Sequence, residues 1–153
     1  MSVSEKLKSM NIFLPPVAGP FGAYVPAKKA GELIFVAGQL PRKDGKLLST
    51  GPVPSQCSLE NARIAARQCV INALAAVETL GRGAINDLKG VARVGAFVNS
   101  DNSFHEQPKV ADAASELLLE IFGPSGQHAR AAVACNTLPL NASVEIEFIF
   151  ECR

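Results

Sequence analysis

Tryptophan is absent from this sequence, tyrosine occurs once and histidine twice, and neither sign of charge prevails: 15 Lys and Arg against 14 Asp and Glu leave a formal net charge of +1. Such a balance creates no broad positive field for a phosphate backbone, and so few aromatic rings offer little to stack on bases, which argues against nucleic acid as a partner. Long apolar runs are missing too. None approaches the roughly 18 residues of a membrane span, so no membrane association is expected. The opening MSVSEKLKSM mixes charges with apolar positions and leads into no apolar segment or small-residue cleavage site, so secretion is not expected and the cytoplasm is the expected location. Cysteines are few, and Cys57, Cys69, Cys135 and Cys152 form no C-x-x-C pair; they read as small core residues. With His105 and His128 far apart and beside no cysteine, no metal site is expected.

What is there suits one globular domain spanning 1–153, with 48% hydrophobic and 19% charged residues. Residues 1–14 form an amphipathic extension that can be a helix or a covering arm. Tyr24 to Ala37 reads as two extended pieces about Lys28 to Gly31, the second carrying Leu33, Ile34, Phe35 and Val36. Pro41 ends that strand, and Asp44-Gly45 signals a turn. Ser58 is an N-cap candidate, followed by Leu59, Ala62, Ala66, Cys69, Ala73, Val77 and Leu80 at helical spacing toward Gly81. Leu88 to Val98 has strand content, and Pro108 opens a second helical stripe that Gly123 ends. Ala129 to Cys135 and Ala142 to Cys152 are the last strands. In the second, Val144, Ile146, Phe148 and Phe150 point inward against Glu145, Glu147, Ile149 and Glu151.

This order predicts an α+β sheet with two helices packed on one face. The other face is too mixed for a core and too apolar for open solvent, which an oligomer stacking sheets about an axis would resolve.

Among residues that can carry chemistry, Arg130 emerges from an alanine-rich strand, and its planar fork suits a carboxylate; the alternative is an ion pair with Glu145 or Glu147. A hairpin centred near Leu138 would set Arg130 opposite Glu145, where a carboxylate orients water or remains a solvated glutamate. Gly38, with Gln39, ends a buried strand where bare backbone can approach a ligand, or is a turn glycine. Phe21 and Tyr24 wall a pocket or fill the core. His105 and His128 suggest an acid–base pair of ribonuclease type.

Four segments together are specific: Gly19-Pro20-Phe21; LIFVAGQLP from Leu33 to Pro41; Phe97 to Ser100 with Phe104 and Gln107 to Val110; and RAAVACNTLPLNASVEIE from Arg130 to Glu147. On these the chain resembles the Rid (reactive intermediate deaminase) or YjgF family from Gly19 to Phe150, as a subgroup with a longer N-terminus. The resemblance implies a chorismate-mutase-like fold, a homotrimer with pockets between subunits, and a further strand between the last two, against the hairpin. It implies hydrolysis of imines or enamines such as 2-aminoacrylate to a 2-keto acid and ammonia, without metal or cofactor. Arg130 would hold the substrate carboxylate, Glu145 would position water, and Gly38 would present its backbone. Phe21, Ala37 and Ala132 stand where the family pattern has tyrosine, serine and cysteine. Those losses admit a second reading, a binder of small carboxylates such as keto acids, and the family's frequent label admits a third, an endoribonuclease or translation inhibitor.

Overall fold

A computed structural model describes residues 1–17 and 22–153. Among these, seven strands and three helices succeed one another: α1 (Val3–Ser9), β1 (Ala27–Ala30), β2 (Leu33–Gln39), β3 (Arg42–Lys43), β4 (Lys46–Leu47), α2 (Leu59–Glu78), β5 (Leu88–Asn99), α3 (Gln107–Phe122), β6 (Ala129–Cys135) and β7 (Val144–Cys152). β3 and β4 make a small separate hairpin through the expected Asp44-Gly45 turn, both residues with positive φ.

The main sheet has the order β1-β2-β7-β5-β6, antiparallel except for the β5–β6 pair. The hairpin expected between the last two strands therefore does not form. A 3-10 turn at Pro139–Asn141, with Leu140 and Asn141 at positive φ, carries the chain past β5 instead. β5 and β6 run parallel because α3 is their crossover, and a parallel pair needs such a connection.

Alternation along β7 is as the sequence implies. Val144, Ile146, Phe148 and Phe150 are buried against the helices, while Glu145, Glu147, Ile149 and Glu151 face the other way. Phe148 and Phe150 stack with ring centroids 5.8 Å apart, and Phe122 of α3 closes on Phe150. Burying each ring is worth about 1.5–3 kcal/mol. Above them lies α2, whose contact face is largely alanine, so its backbone comes close to β2 and β7. Ser58 caps it as expected, its hydroxyl accepting from the Asn61 N–H, although the helix ends at Glu78, short of Gly81.

The helix layer holds a third member beyond the two expected. α1 carries a Ser2–Glu5 capping box, buries Val3 and Leu7, and is fixed by Asn86 Oδ1, which accepts from the Ser4 N–H at 3.0 Å. Three cysteines are buried as expected, but Cys135, at the end of the edge strand β6, is only half-buried.

Candidate active site

Two register features separate the expected site residues into distinct neighbourhoods. The first is a bulge in β2. Pairing passes from Val36 opposite Phe148 to Gln39 opposite Ile146, so three steps on β2 match two on β7 and one extra residue must be accommodated. Gln39 Nε2 spans the bulge by donating to the Ala37 carbonyl at 2.8 Å. Beneath it, α2 supplies polar groups where the chain leaves the sheet: the Cys69 thiol donates to the Gln39 carbonyl, and Asn72 Nδ2 donates to the carbonyls of Leu40 and Arg42. Gln68 holds Asn72 in turn. Gln68 and Asn72, four residues apart on an otherwise apolar face, were the sequence signal for this support.

Gly38 lies in the bulge, in a strand and not in a turn. A Cβ placed there would come within 2.2 Å of Glu145 Oε1, so the missing side chain is the space the Glu145 carboxyl uses. Gly95 makes the same room for Glu147, whose Oε1 would lie 2.9 Å from such an atom. Burial, and after it the neighbouring Glu147 carboxylate, hold the Glu145 pKa above the usual range. Burial likewise pushes the Cys69 thiol far up, so it stays a neutral donor. Glu147 itself pairs with Arg93 at 3.4 Å.

Next to the bulge opens a cavity of about 680 Å³ walled by Tyr24, Ala37, Gly38, Gln39, Arg42 and Asn72. Tyr24 is therefore a cavity wall and not a core residue, while Phe21 lies outside the described residues.

The second feature is the β5–β6 register. Arg130 pairs with Val94 and Ala132 with Ala96, and both partners are buried under the helices. Arg130 therefore points to the helix layer, where Nη1 donates to Asp112 Oδ1 at 2.8 Å and to Ser115 Oγ at 3.1 Å on α3. An ion pair does exist, but its carboxylate is Asp112, not Glu145 or Glu147. Glu145 sits across from Phe97 on the opposite face. With strands about 4.8 Å apart and a rise of about 3.3 Å per residue, the Cα atoms of Arg130 and Glu145 are roughly 14 Å apart. No small substrate touches both within one chain. Asp112 and Ser115, three residues apart on α3, carried no signal beyond being polar beside an apolar stripe.

The histidines also part. His128 precedes β6 and bonds Ser115 and the Gly126 carbonyl, whereas His105 lines a cavity of about 370 Å³ with Cys135 at the far end of β6. That strand spans roughly 20 Å at about 3.3 Å per residue, so the two rings cannot act as one acid–base pair. Among the described residues no three His, Cys, Asp or Glu side chains gather as a metal site, and no helix is long and apolar enough to cross a membrane.

Residues 4–152 match the family described as "YjgF/chorismate_mutase-like, putative endoribonuclease". The chain belongs to the YjgF family. Its fold is accordingly the YjgF/chorismate-mutase-like α+β fold. The Trypanosoma cruzi protein TCP17 is 35% identical over 97% of this chain and 93% of its own. A Dermatophagoides farinae protein named 2-iminobutanoate/2-iminopropanoate deaminase is 30% identical over 90% of this chain and 92% of its own. The crystal structure of Agrobacterium tumefaciens Atu1372, a protein of unknown function, superposes with a TM-score of 0.90 at 38% identity, covering 99% of this chain and 92% of that one. Coverage that complete extends over the residues of α1.

Proposed function

We propose that this YjgF-family protein is a cytoplasmic, single-domain hydrolytic deaminase of reactive imines and enamines of small 2-amino acids, working as a homotrimer with pockets between subunits. The observation that carries the reading is the Glu145 carboxyl, its pKa raised by burial, lodged against side-chain-free Gly38, and it is Gly38 that walls the cavity. A carboxyl that holds its proton more tightly than usual can take a proton from water and return it, which is what imine hydrolysis requires. The relative named as an imine deaminase supports the same chemistry.

In this mechanism the substrate carboxylate is held by Arg130 and its C=N carbon faces Glu145. Glu145 accepts a proton as water adds to that carbon, the C=N π electrons move to nitrogen, and Glu145 returns the proton to that nitrogen. The carbinolamine hydroxyl then gives its proton, through Glu145, to the amine; the C–N bond breaks as the oxygen forms the carbonyl, releasing ammonia and the 2-keto acid. An enamine enters after tautomerising to the imine. Since Arg130 and Glu145 of one chain lie on opposite faces, the pair serving one substrate must come from two subunits. The half-apolar open face, with Phe35, Phe97, Val133 and Ile149, is the surface such an assembly would cover.

Keto-acid release from enzymatically generated imino acids tests the reading. Arg130→Ala is expected to abolish nearly all turnover, and equal rates for the variant and the intact protein would sink it. Ala37 and Ala132 stand where the family pattern has serine and cysteine, and the loss of those polar groups favours a second reading as a keto-acid binder. Calorimetric binding of 2-ketobutyrate without turnover of any imino acid would select it.

A further inference from the structure

Arg130 is the carboxylate anchor of the proposed reaction, and the role of its neighbours rests on that reading. The guanidinium does not hang free at the sheet edge. Nη1 gives its two hydrogens to Asp112 Oδ1 and Ser115 Oγ, and Nη2 lies 3.5 Å from the Pro108 carbonyl. Ser115 Oγ is also 2.9 Å from His128 Nε2, while His128 Nδ1 is 2.6 Å from the Gly126 carbonyl.

The chemistry of each group sets the direction of donation. A carbonyl oxygen only accepts, so Nδ1 carries the ring hydrogen, which leaves Nε2 of the neutral imidazole as an acceptor. The Ser115 hydroxyl then donates to Nε2 and keeps its lone pairs for Arg130. Donation runs one way, from Arg130 to Ser115 to His128 to Gly126, with no group asked to donate and accept through the same atom pair.

A guanidinium has five N–H bonds. Two on Nη1 are committed, and one on Nη2 faces Pro108. The Nε hydrogen and one Nη2 hydrogen have no partner among the described residues, and Nε with Nη2 makes the edge that can grip a carboxylate with two parallel bonds. Arg130 keeps 23% of its side chain exposed, so part of it is open to a ligand. Asp112 takes the Nη1 corner with one oxygen and leaves the fork open; it orients the cation and does not occupy it.

We propose that Asp112, Ser115 and His128 are positioning residues that clamp Arg130 by its Nη1 corner, so that its Nε/Nη2 edge is presented ready-made to the substrate carboxylate. Orientation of this kind acts on substrate binding in the ground and transition states alike, so it appears in KM and not in kcat.

Steady-state kinetics on enzymatically generated 2-iminobutanoate, run beside guanidinium-selective nitrogen-15 NMR of the same proteins, tests this. Ser115→Ala and Asp112→Ala are expected to raise KM about tenfold, a loss of ~1.4 kcal/mol, with kcat within about twofold. Ser115→Thr keeps the hydroxyl and is expected to restore KM. In the intact protein the Arg130 Nη hydrogens should be resolved and slow to rotate, and the alanine variants should average them. Unchanged KM with unchanged Arg130 signals in both alanine variants would overturn the proposal. Should the intact protein release no keto acid, the deaminase reading falls, and the NMR arm decides alone: averaged Arg130 signals in the variants uphold the clamp, and unchanged ones overturn it.

Discussion

Replacing Gly38 by alanine separates a glycine kept for its backbone from one kept for its neighbour's space. Its φ lies outside the left-handed region, so alanine adopts this backbone without strain. The added Cβ would meet Glu145 Oε1 at 2.2 Å, Cδ at 3.1 Å and Cγ at 3.3 Å, all atoms of one flexible side chain and none of backbone. Glu145 can therefore swing away, at about 0.5–1.5 kcal/mol for an off-rotamer torsion. Against this, alanine stabilises by roughly 0.4–1 kcal/mol through the unfolded chain. The net change is within about 1 kcal/mol, which for a chain of this size moves Tm by no more than about 4 °C. Turnover behaves differently, because a displaced carboxyl no longer addresses the water. A fall of about 10²-fold or more in kcat is expected, the lower bound for losing a positioned proton-transfer group. Differential scanning calorimetry and keto-acid release on the same preparation provide both numbers. Full activity in Gly38→Ala would refute the role given to Glu145; a Tm loss above about 10 °C would refute the account of Gly38 as space rather than structure.

Glu145→Gln should abolish turnover yet raise stability at neutral pH. Because the folded chain holds the Glu145 proton more tightly than the unfolded chain, its stabilisation is complete below the ordinary carboxylate pKa and is lost as pH rises through the raised folded value. The amide never ionises, so its advantage in Tm should be visible near pH 7 and vanish near about pH 4. Ser58→Ala removes the cap of α2 and should cost about 1 kcal/mol, read as a Tm drop of roughly 2–4 °C. Phe35→Glu puts a charge on the half-apolar open face, where Phe35 is 44% exposed, and should shift sedimentation toward the monomer while leaving the far-ultraviolet circular dichroism unchanged.

Local elements were legible because their causes are local. Ser58 caps α2, Asp44-Gly45 turns β3 into β4, and the two-residue period of β7 assigns each side chain to a face, all from a few neighbouring residues. Strand order was not legible from such patterns. β6 and β7 are adjacent in sequence and separated by a turn-like Leu-Pro-Leu-Asn, which reads equally as a hairpin; only the crossover through α3, which sets β6 parallel to β5, decides otherwise. The resemblance to the Rid family did imply the intervening strand. The Arg130 partner escaped for the same reason, since Asp112 lies across that crossover and its meeting with Arg130 is fixed by the β5–β6 register. Gly38 and Glu145 were each singled out, but their contact depends on a one-residue bulge that leaves no mark in composition.

The position of β6 at the rim of the sheet has a further consequence. β1, at the other rim, reads Ala-Lys-Lys-Ala, and its lysines discourage a stray strand from adding on. β6 reads Ala-Arg-Ala-Ala-Val-Ala-Cys, and its one charge is turned under α3. Bare of gatekeepers, that rim is a template for a stray strand wherever no neighbour covers it. For the proposed homotrimer, monomer released by dilution or by Phe35→Glu should therefore stay soluble at the low concentrations used in sedimentation and turn turbid on concentration, tying shelf life to assembly more than to the strength of the core.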